Sequence, residues 1–180
     1  MPAEAEMPPW PDLIAEMGEL REQVSHIDED MFPFTVPHLA ATPDQIAAAE
    51  QRLGHPLDPQ HRSFLSYGNG WPDFYLGSSL LSTEDLGQGP NWAKANQVLD
   101  ALYEGVDDPD VLPPRADIYP FTVSEDTASV FVFWRGSELD EGGHTVLWLP
   151  WADTDPMPNF FEFYRMVYQE YESELEADDS

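Results

Sequence analysis

The chain has 180 residues, 35 of them acidic and 7 basic, and its formal net charge is -28. Such an acidic molecule repels phosphate backbones and anionic lipid surfaces, so we expect neither nucleic acid nor membrane among its partners. The sequence contains no cysteine, which excludes disulfides, thiolate nucleophiles and cysteine-ligated metals. Its length and its apolar content of 42% are those of one globular domain.

The acidity has two interpretations, and the sequence leaves both open. A strongly negative surface attracts basic proteins and speeds their encounter at low salt. The same surface arises in salt-adapted proteins, where charge only maintains solubility. The first residues, MPAEAEMPPW, have neither the basic region nor the apolar stretch of a secretory signal, so a cytoplasmic location is expected.

The first predicted element is a helix over residues 11–28. Its apolar residues recur at spacings of three and four and form one stripe: Leu13, Ile14, Met17, Leu20, Val24 and Ile27. The segment that follows, MFPFTVPHLAA, is broken by prolines and is expected to be an extended connector.

Two short helices are predicted next from their end signals. In TPDQIAAAEQRLG, Thr42 is a good N-cap with Gln45 in the capping-box position, and Gly54 suits the left-handed residue that ends a helix. In LDPQHRSFLSYG, Asp58 is the N-cap and Gly68 the terminator. The two helices are therefore joined by a tight corner.

The rest of the chain predicts strands around one helix, followed by a closing helix. After the Asn69–Gly70 turn, WPDFYLGSSLLSTEDL indicates short strands, and the apolar spacing over residues 92–102 indicates an amphipathic helix. Beyond residue 117, IYPFTVSEDTASVFVFWRG and HTVLWLPW are typical of strands. Asn159 caps a final helix that begins NFFEFYRMV.

This order of elements predicts an α+β fold, with an antiparallel sheet of short strands and with the N-terminal helices and the closing C-terminal helix on one face. We divide the chain into residues 1–39, a leader with an extra helix and an extended connector; residues 40–172, the main domain; and residues 173–180, an acidic tail.

The sequence gives only weak signals for a catalytic or a metal-binding site. His55 and His61 could ligate a metal together with Asp58, but they lie on opposite sides of the proline corner and match no metal motif. Glu125 and Asp126 lie in a predicted hairpin turn, where acidic residues are common, so a glycosidase-like pair is a poor interpretation. No nucleophile elbow or phosphate-binding loop occurs. We expect no enzymatic activity, no metal and no cofactor.

Most of the aromatic residues have core spacing. Trp71, beside the Asn69–Gly70 turn, and Trp151, beside Pro150, are the better candidates for exposed contacts.

Several stretches resemble the SUKH superfamily, the bacterial immunity-protein group related to the fungal Smi/Knr cell-wall-synthesis regulators. They are the pattern I-x-x-x-E-x-x-L-G over residues 46–54, the pair Phe64–Leu65, G-N-G-W over residues 68–71, and the later stretches LLSTEDL, FTVSEDTASVFVFW and NFFEFYRMV. The resemblance covers roughly residues 40–170. One departure is that Leu57 is followed by Asp58, where the family usually has Leu-Pro.

The resemblance implies a non-enzymatic immunity protein that binds and blocks a cognate toxin, which we expect to be basic. The expected contact residues are a candidate aromatic anchor and the loop acids: Trp71, Asp73, Asp107, Asp108, Asp110, Glu125, Asp126, Asp140 and Glu141. An alternative, implied by the fungal relatives, is a regulatory or scaffolding domain without a toxin, which docks a partner through the stripe of Leu13, Met17 and Leu20.

Overall fold

The computed structural model describes residues 5–126, 128–150 and 155–180. In these ranges the helices are α1 (Trp10–Ser25), α2 (Pro43–Leu53), α3 (Pro59–Leu65), α4 (Gly89–Gly105) and α5 (Phe160–Asp178). The strands are β1 (Trp71–Tyr75), β2 (Ser78–Leu80), β3 (Ile118–Pro120), β4 (Thr122–Ser124), β5 (Val130–Trp134) and β6 (Thr145–Leu149). Two short 3-10 turns, Pro109–Val111 and Arg115–Asp117, interrupt the loop between α4 and β3.

The strands form two antiparallel sheets of three strands each, in the orders β1-β2-β4 and β3-β5-β6. Phe121 joins them, because it lies between β3 and β4. Its N–H donates to the carbonyl of Phe131 (3.1 Å) in one sheet, and its carbonyl accepts from the N–H of Leu81 (2.9 Å) beside the other. One extended path, residues 118–124, therefore contributes a strand to each sheet.

The predicted caps of α2, α3 and α5 are confirmed, but two predicted C-terminal ends are wrong: α3 ends at Leu65 with Ser66 as its C-cap, not at Gly68, and α1 ends at Ser25, not at residue 28. The Thr42 hydroxyl accepts from the N–H of Gln45 (3.2 Å), and the Gln45 side chain accepts from the N–H of Thr42 (2.9 Å). Gly54 ends α2 with φ 78°, a conformation that costs other residues more. Asp58 caps α3 and Asn159 caps α5, each through a side-chain oxygen that accepts a backbone N–H three residues ahead.

The larger core lies between the sheets and the helices α1, α3 and α5. Phe131 of β5 packs with its ring centroid 4.7 Å from that of Phe163 in α5. Trp10, at the first turn of α1, is fully buried between Phe64 of α3 and Tyr164 of α5, with centroids 5.3 Å away in both cases. The N-terminal helix and the closing helix therefore share one face, and the predicted α+β class is confirmed.

A second core lies on the opposite face of β3-β5-β6. Successive residues of a strand point to opposite faces, so Val130 and Val132 face away from Phe131. They pack with Ala95 and Leu99 of α4. This sheet is consequently covered by helices on both faces, whereas the sequence predicted cover on one.

Helix α1 packs into the core, and helix α5 is longer than the sequence predicted. Met17, Leu20 and Val24 of α1 are buried in the larger core. The stripe proposed for partner docking is thus largely occupied by the fold itself. Helix α5 continues to Asp178, so that residues 173–178 of the predicted acidic tail are helical. Within the described ranges, no helix combines the length and the apolar character needed to cross a membrane.

Candidate functional site

The corner between α2 and α3 holds a buried polar cluster. Asp58, at 1% exposure, accepts hydrogen bonds from the backbone N–H groups of His61 (3.0 Å) and His144 (2.6 Å). The Tyr119 hydroxyl accepts from the N–H of Asp58 (2.9 Å) and lies 3.4 Å from Nδ1 of His61. Burial lowers the pKa of His61 to about 3, so its ring is neutral near pH 7.

The contacts of this cluster are structural. His55 packs its ring against Tyr119, with centroids 5.1 Å apart, and its Nδ1 lies 2.8 Å from the Pro56 carbonyl. In the part of the chain that the structure describes, no group of three or more histidine, aspartate and glutamate side chains is arranged to hold a metal ion. The carboxylate of Asp58 instead ties α3 to the backbone of the segment before β6.

A second buried cluster surrounds Arg21 of α1, which is 2% exposed. Its guanidinium donates hydrogen bonds to five uncharged oxygen atoms, which belong to Phe74 (2.6 Å), Asp73 (2.6 Å) and Pro33 (3.2 Å), all through the backbone, and to the hydroxyls of Tyr171 (2.8 Å) and Thr35 (2.9 Å). The guanidinium carbon also lies 5.0 Å from the ring centroid of Tyr171. The Arg21 cluster therefore fixes α1, the connector, β1 and α5 relative to one another.

A cavity of about 280 Å³ opens next to the Arg21 cluster, and we call it the acidic cleft. Five carboxylates line it, one from the connector, one from β1, one after β4 and two from α5: Asp30, Asp73, Glu125, Glu170 and Glu174. Aromatic side chains of three elements also line it: Phe32, Tyr75 and Tyr171. The ion pairs of the described residues use other carboxylates, those of Glu50, Asp100 and Glu162.

The backbone beneath the acidic cleft is strained at two positions. Asp73 has φ 46° in the middle of β1, where the register with β2 shifts, and Leu76 has φ 46° in the turn between these strands. Positive φ is uncommon for residues other than glycine and is least favourable for bulky ones. Both residues line the acidic cleft, and such strain tends to cluster at functional sites.

Tyr75 forms part of the cleft wall, and its hydroxyl keeps some contact with solvent. The residue is 9% exposed, and its ring packs against Phe131 and Trp148 at centroid distances of 6.2 and 6.1 Å. Within the described residues its hydroxyl has no hydrogen-bond partner. Burial, reinforced by the negative charge of Glu170, raises the pKa of Tyr75 to about 12, so the group is a neutral phenol at pH 7.

Two of the sequence-predicted contact residues meet in the acidic cleft. Asp73 reaches it through the irregular part of β1, and Glu125 follows β4, whose partner strand β2 begins directly after the turn at Leu76. The N–H of Glu125 donates to the carbonyl of Gly77 (3.4 Å), which holds the two turns together.

The expectation that Trp71 is exposed is wrong. Trp71 is fully buried, and its Nε1 donates to the carbonyl and the hydroxyl of Thr35 at 3.2 and 3.1 Å. An indole buried at the first residue of β1 cannot be the aromatic anchor of a contact surface. Burying its large apolar ring in the core is more favourable than leaving it in water. Trp151 lies outside the described residues.

The remaining predicted contact residues are exposed but lie in other turns. Asp107, Asp108 and Asp110 belong to the loop after α4, where Asp108 caps the N–H of Asp110 (3.0 Å). Asp126 is exposed and accepts hydrogen bonds from the hydroxyl of Ser124 and the N–H of Ala128, so it shapes the hairpin turn.

Asp140 and Glu141 form the turn before β6. The Asp140 carboxylate accepts a hydrogen bond from the Asn159 side-chain amide (3.3 Å). The backbone carbonyl of Glu141 accepts a hydrogen bond from the side-chain amide of Gln60 (3.2 Å). Of the predicted contact residues, Asp73 and Glu125 line the acidic cleft, and the other acids lie in separate turns of the chain.

Sequence reasoning missed Tyr75, Asp30, Glu170 and Glu174 as cleft residues. Glu170 and Glu174 carried one signal, because a spacing of four places both on one face of a helix. Residues Glu172 and Glu176 have the same spacing and lie instead in a groove of about 300 Å³ between α1 and α5. Only the packing of α5 distinguishes the two pairs.

Comparison with known proteins adds no family. The chain matches no protein-family model, and no curated protein is significantly similar to it. The SUKH resemblance stays a prediction.

Proposed function

We propose that this protein is a non-enzymatic binding protein that captures a basic partner through the acidic cleft. In the form that the SUKH resemblance implies, it is a cytoplasmic immunity protein and the partner is a cognate toxin. The supporting observation is the convergence in the acidic cleft of Asp73 and Glu125, both expected as contact residues, with three further carboxylates.

Concentrated like charge supports a binding role. Carboxylates held together repel one another and destabilise the folded protein, and a bound cation offsets that repulsion. Because the ion pairs of the described residues lie elsewhere, the charge of the acidic cleft is available to a partner. Backbone strain at Asp73 and Leu76 in the same place is a second cost that binding would justify.

The chemistry of toxins makes such a surface effective. A nuclease toxin must carry cationic side chains to hold phosphate groups, and a protein at -28 complements that surface. An immunity protein of this kind occludes the toxin by presenting carboxylates where the substrate would present phosphates. Association is then fast at low ionic strength and slows as salt is added.

The test is co-expression with the protein encoded beside it. The proposal expects growth rescue from that neighbour's toxicity, co-purification of the pair and an association rate that falls between low and physiological salt. The double variant Glu170→Gln/Glu174→Gln should weaken the complex about tenfold or more, since each exposed ion pair contributes up to about 1 kcal/mol. A loop variant with the same chemistry, Asp107→Asn/Asp108→Asn/Asp110→Asn, is the control for charge loss outside the cleft.

Two outcomes would contradict the proposal. One is a complex whose association rate does not respond to salt, which favours the regulatory or scaffolding alternative. The other is a loop variant that weakens the complex more than the cleft variant does, which would place the interface elsewhere.

A further inference from the structure

The geometry points to the side chain of one arginine as the occupant of the acidic cleft. This inference rests on the proposed function and names the chemistry of the partner: a basic protein that inserts an arginine between the connector, the β1–β2 turn and α5. Three features of the cleft carry it, namely its charge, the Tyr75 hydroxyl and its aromatic walls.

The charge of the acidic cleft selects a cation. Five carboxylates line it, and one buried cation, Arg21, lies behind it, bonded to the backbone of Asp73 and Pro33 and to the Tyr171 hydroxyl. Arg21 spends its hydrogen bonds on uncharged oxygens and leaves the carboxylates unpaired. The net charge around the cleft is therefore negative; Asp73 is half-buried, and the other four acidic residues are exposed.

The Tyr75 hydroxyl supplies a polar contact that the protein itself does not use. At 9% exposure Tyr75 is nine-tenths buried, and it lines the acidic cleft. Its ring packs against Phe131 and Trp148 in the core, and the part of the side chain that keeps solvent contact lines the cleft. The hydroxyl keeps some contact with solvent, so an N–H donor from a ligand in the cleft can bond it directly.

The aromatic walls favour guanidinium over ammonium. Phe32 and Tyr171 face each other in a T-shaped arrangement with centroids 6.0 Å apart, and Tyr75 is the third ring. A guanidinium is planar, weakly hydrated, stacks on aromatic rings and offers five donors to carboxylate and phenol oxygens. The protein already holds one guanidinium in this way, since Arg21 packs against Tyr171. An ammonium is more strongly hydrated and loses more on entering such a recess.

The experiment uses the full chain and three small probes followed by NMR of the backbone amides. The probes are three short peptides that are uncharged except at the central residue. That residue is arginine, lysine or citrulline, which has the shape of arginine without its charge. We expect saturable shifts with the arginine peptide, concentrated in residues 28–33, 73–77 and 170–174. The lysine peptide should bind about threefold or more weakly, and the citrulline peptide should not saturate.

Matched variants locate the site. Tyr75→Phe removes only the hydroxyl and should weaken binding of the arginine peptide about fivefold. Tyr168→Phe, which alters a residue of α5 in the groove between α1 and α5, should not change that affinity. Glu170→Gln/Glu174→Gln should weaken binding about tenfold, and Glu172→Gln/Glu176→Gln, which removes the same charge, less than twofold. Unchanged spectra away from the substitution show that each variant is folded.

The inference is overturned if no saturable shifts appear up to the solubility limit of the arginine peptide, if they spread evenly over the acidic surface, or if lysine binds as well as arginine. It is also overturned if Tyr75→Phe binds like the unmodified protein. Failure of the proposed function looks different, because the arginine peptide then binds at the cleft while the neighbour-encoded protein neither co-purifies nor is neutralised.

Discussion

Two acidic depressions of similar size flank helix α5, and they differ in how they are built. The acidic cleft carries five carboxylates, and the groove between α1 and α5 carries four: Glu16, Glu19, Glu172 and Glu176. The groove is lined by the side chains of two helices alone. The cleft is built from four parts of the chain, with a buried arginine behind it, the Tyr75 phenol in its wall and two strained backbone positions. Both depressions are acidic, but only the cleft combines its carboxylates with aromatic side chains from several elements.

The largest expected effect comes from removing the support of the cleft. Arg21→Met removes five hydrogen bonds, two of them buried and three partly buried, and should lower the free energy of unfolding by about 3 kcal/mol or more. Arg165→Met, which removes an exposed arginine paired with Glu162, should cost less than about 1 kcal/mol. Urea denaturation of both variants measures the difference. Equal losses would mean that Arg21 does not organise the cleft.

The second effect separates the cleft from the Asp58–His61 cluster by pH. His61 has a pKa of about 3 in the folded protein and an ordinary value near 6.5 when unfolded, so only the unfolded state takes up its proton between these values. Stability should therefore fall as the pH drops below 6.5, by about 1.4 kcal/mol per pH unit. Burial raises the pKa of Asp58, which opposes this loss once the folded Asp58 begins to protonate.

Denaturation midpoints between pH 7 and pH 5 measure that slope. His61→Gln should flatten it, whereas Glu170→Gln/Glu174→Gln in the cleft and His26→Gln on the surface should keep it. A slope that survives in His61→Gln would assign the pH dependence to other groups.

A smaller effect tests the strain at the rim of the cleft. Leu76 is 65% exposed with φ 46°, and Asn adopts this conformation more readily, so Leu76→Asn should stabilise the protein by about 1 kcal/mol. Leu139→Asn replaces another exposed leucine, which is outside the positive-φ residues, and should leave the melting temperature nearly unchanged. If Leu76→Asn also weakens partner binding, the leucine is retained for contact; destabilisation by the variant would show that Leu76 is not strained.

The smallest effect compares the repulsion within the two depressions. Glu170→Gln/Glu174→Gln and Glu172→Gln/Glu176→Gln each remove one like-charged pair at i,i+4, worth about 0.2–0.5 kcal/mol. The cleft variant should stabilise the protein slightly more, since Asp73 and Glu125 also face that pair. The excess should shrink in high salt. An excess in favour of the groove variant would reverse the comparison.

Local signals in the sequence predicted the helices well, because caps act within three or four residues. Thr42, Asp58 and Asn159 each bond the backbone N–H expected of them. One two-residue turn was missed: Leu76–Gly77 connects β1 to β2 with positive φ at both residues, and leucine carries no turn signature. The cleft was half predicted, since Asp73 and Glu125 were expected as loop acids while Tyr75 depends on long-range packing. The exposure of Trp71 was mispredicted for the same reason, because its neighbours in sequence did not reveal that Thr35 and Arg21 pack against it.

Phe121 couples the opening of one sheet to the opening of the other. Since its amide bonds one sheet and its carbonyl accepts from the chain leaving the other, neither sheet can open at this point without freeing a buried backbone group of its neighbour. Exchange of the Phe121 amide hydrogen with solvent should consequently require the same global opening that exposes the cores, and its protection should report the stability of the whole molecule. A partner seated at β1, β2 and α5 would then slow exchange in β5 and β6 without touching them.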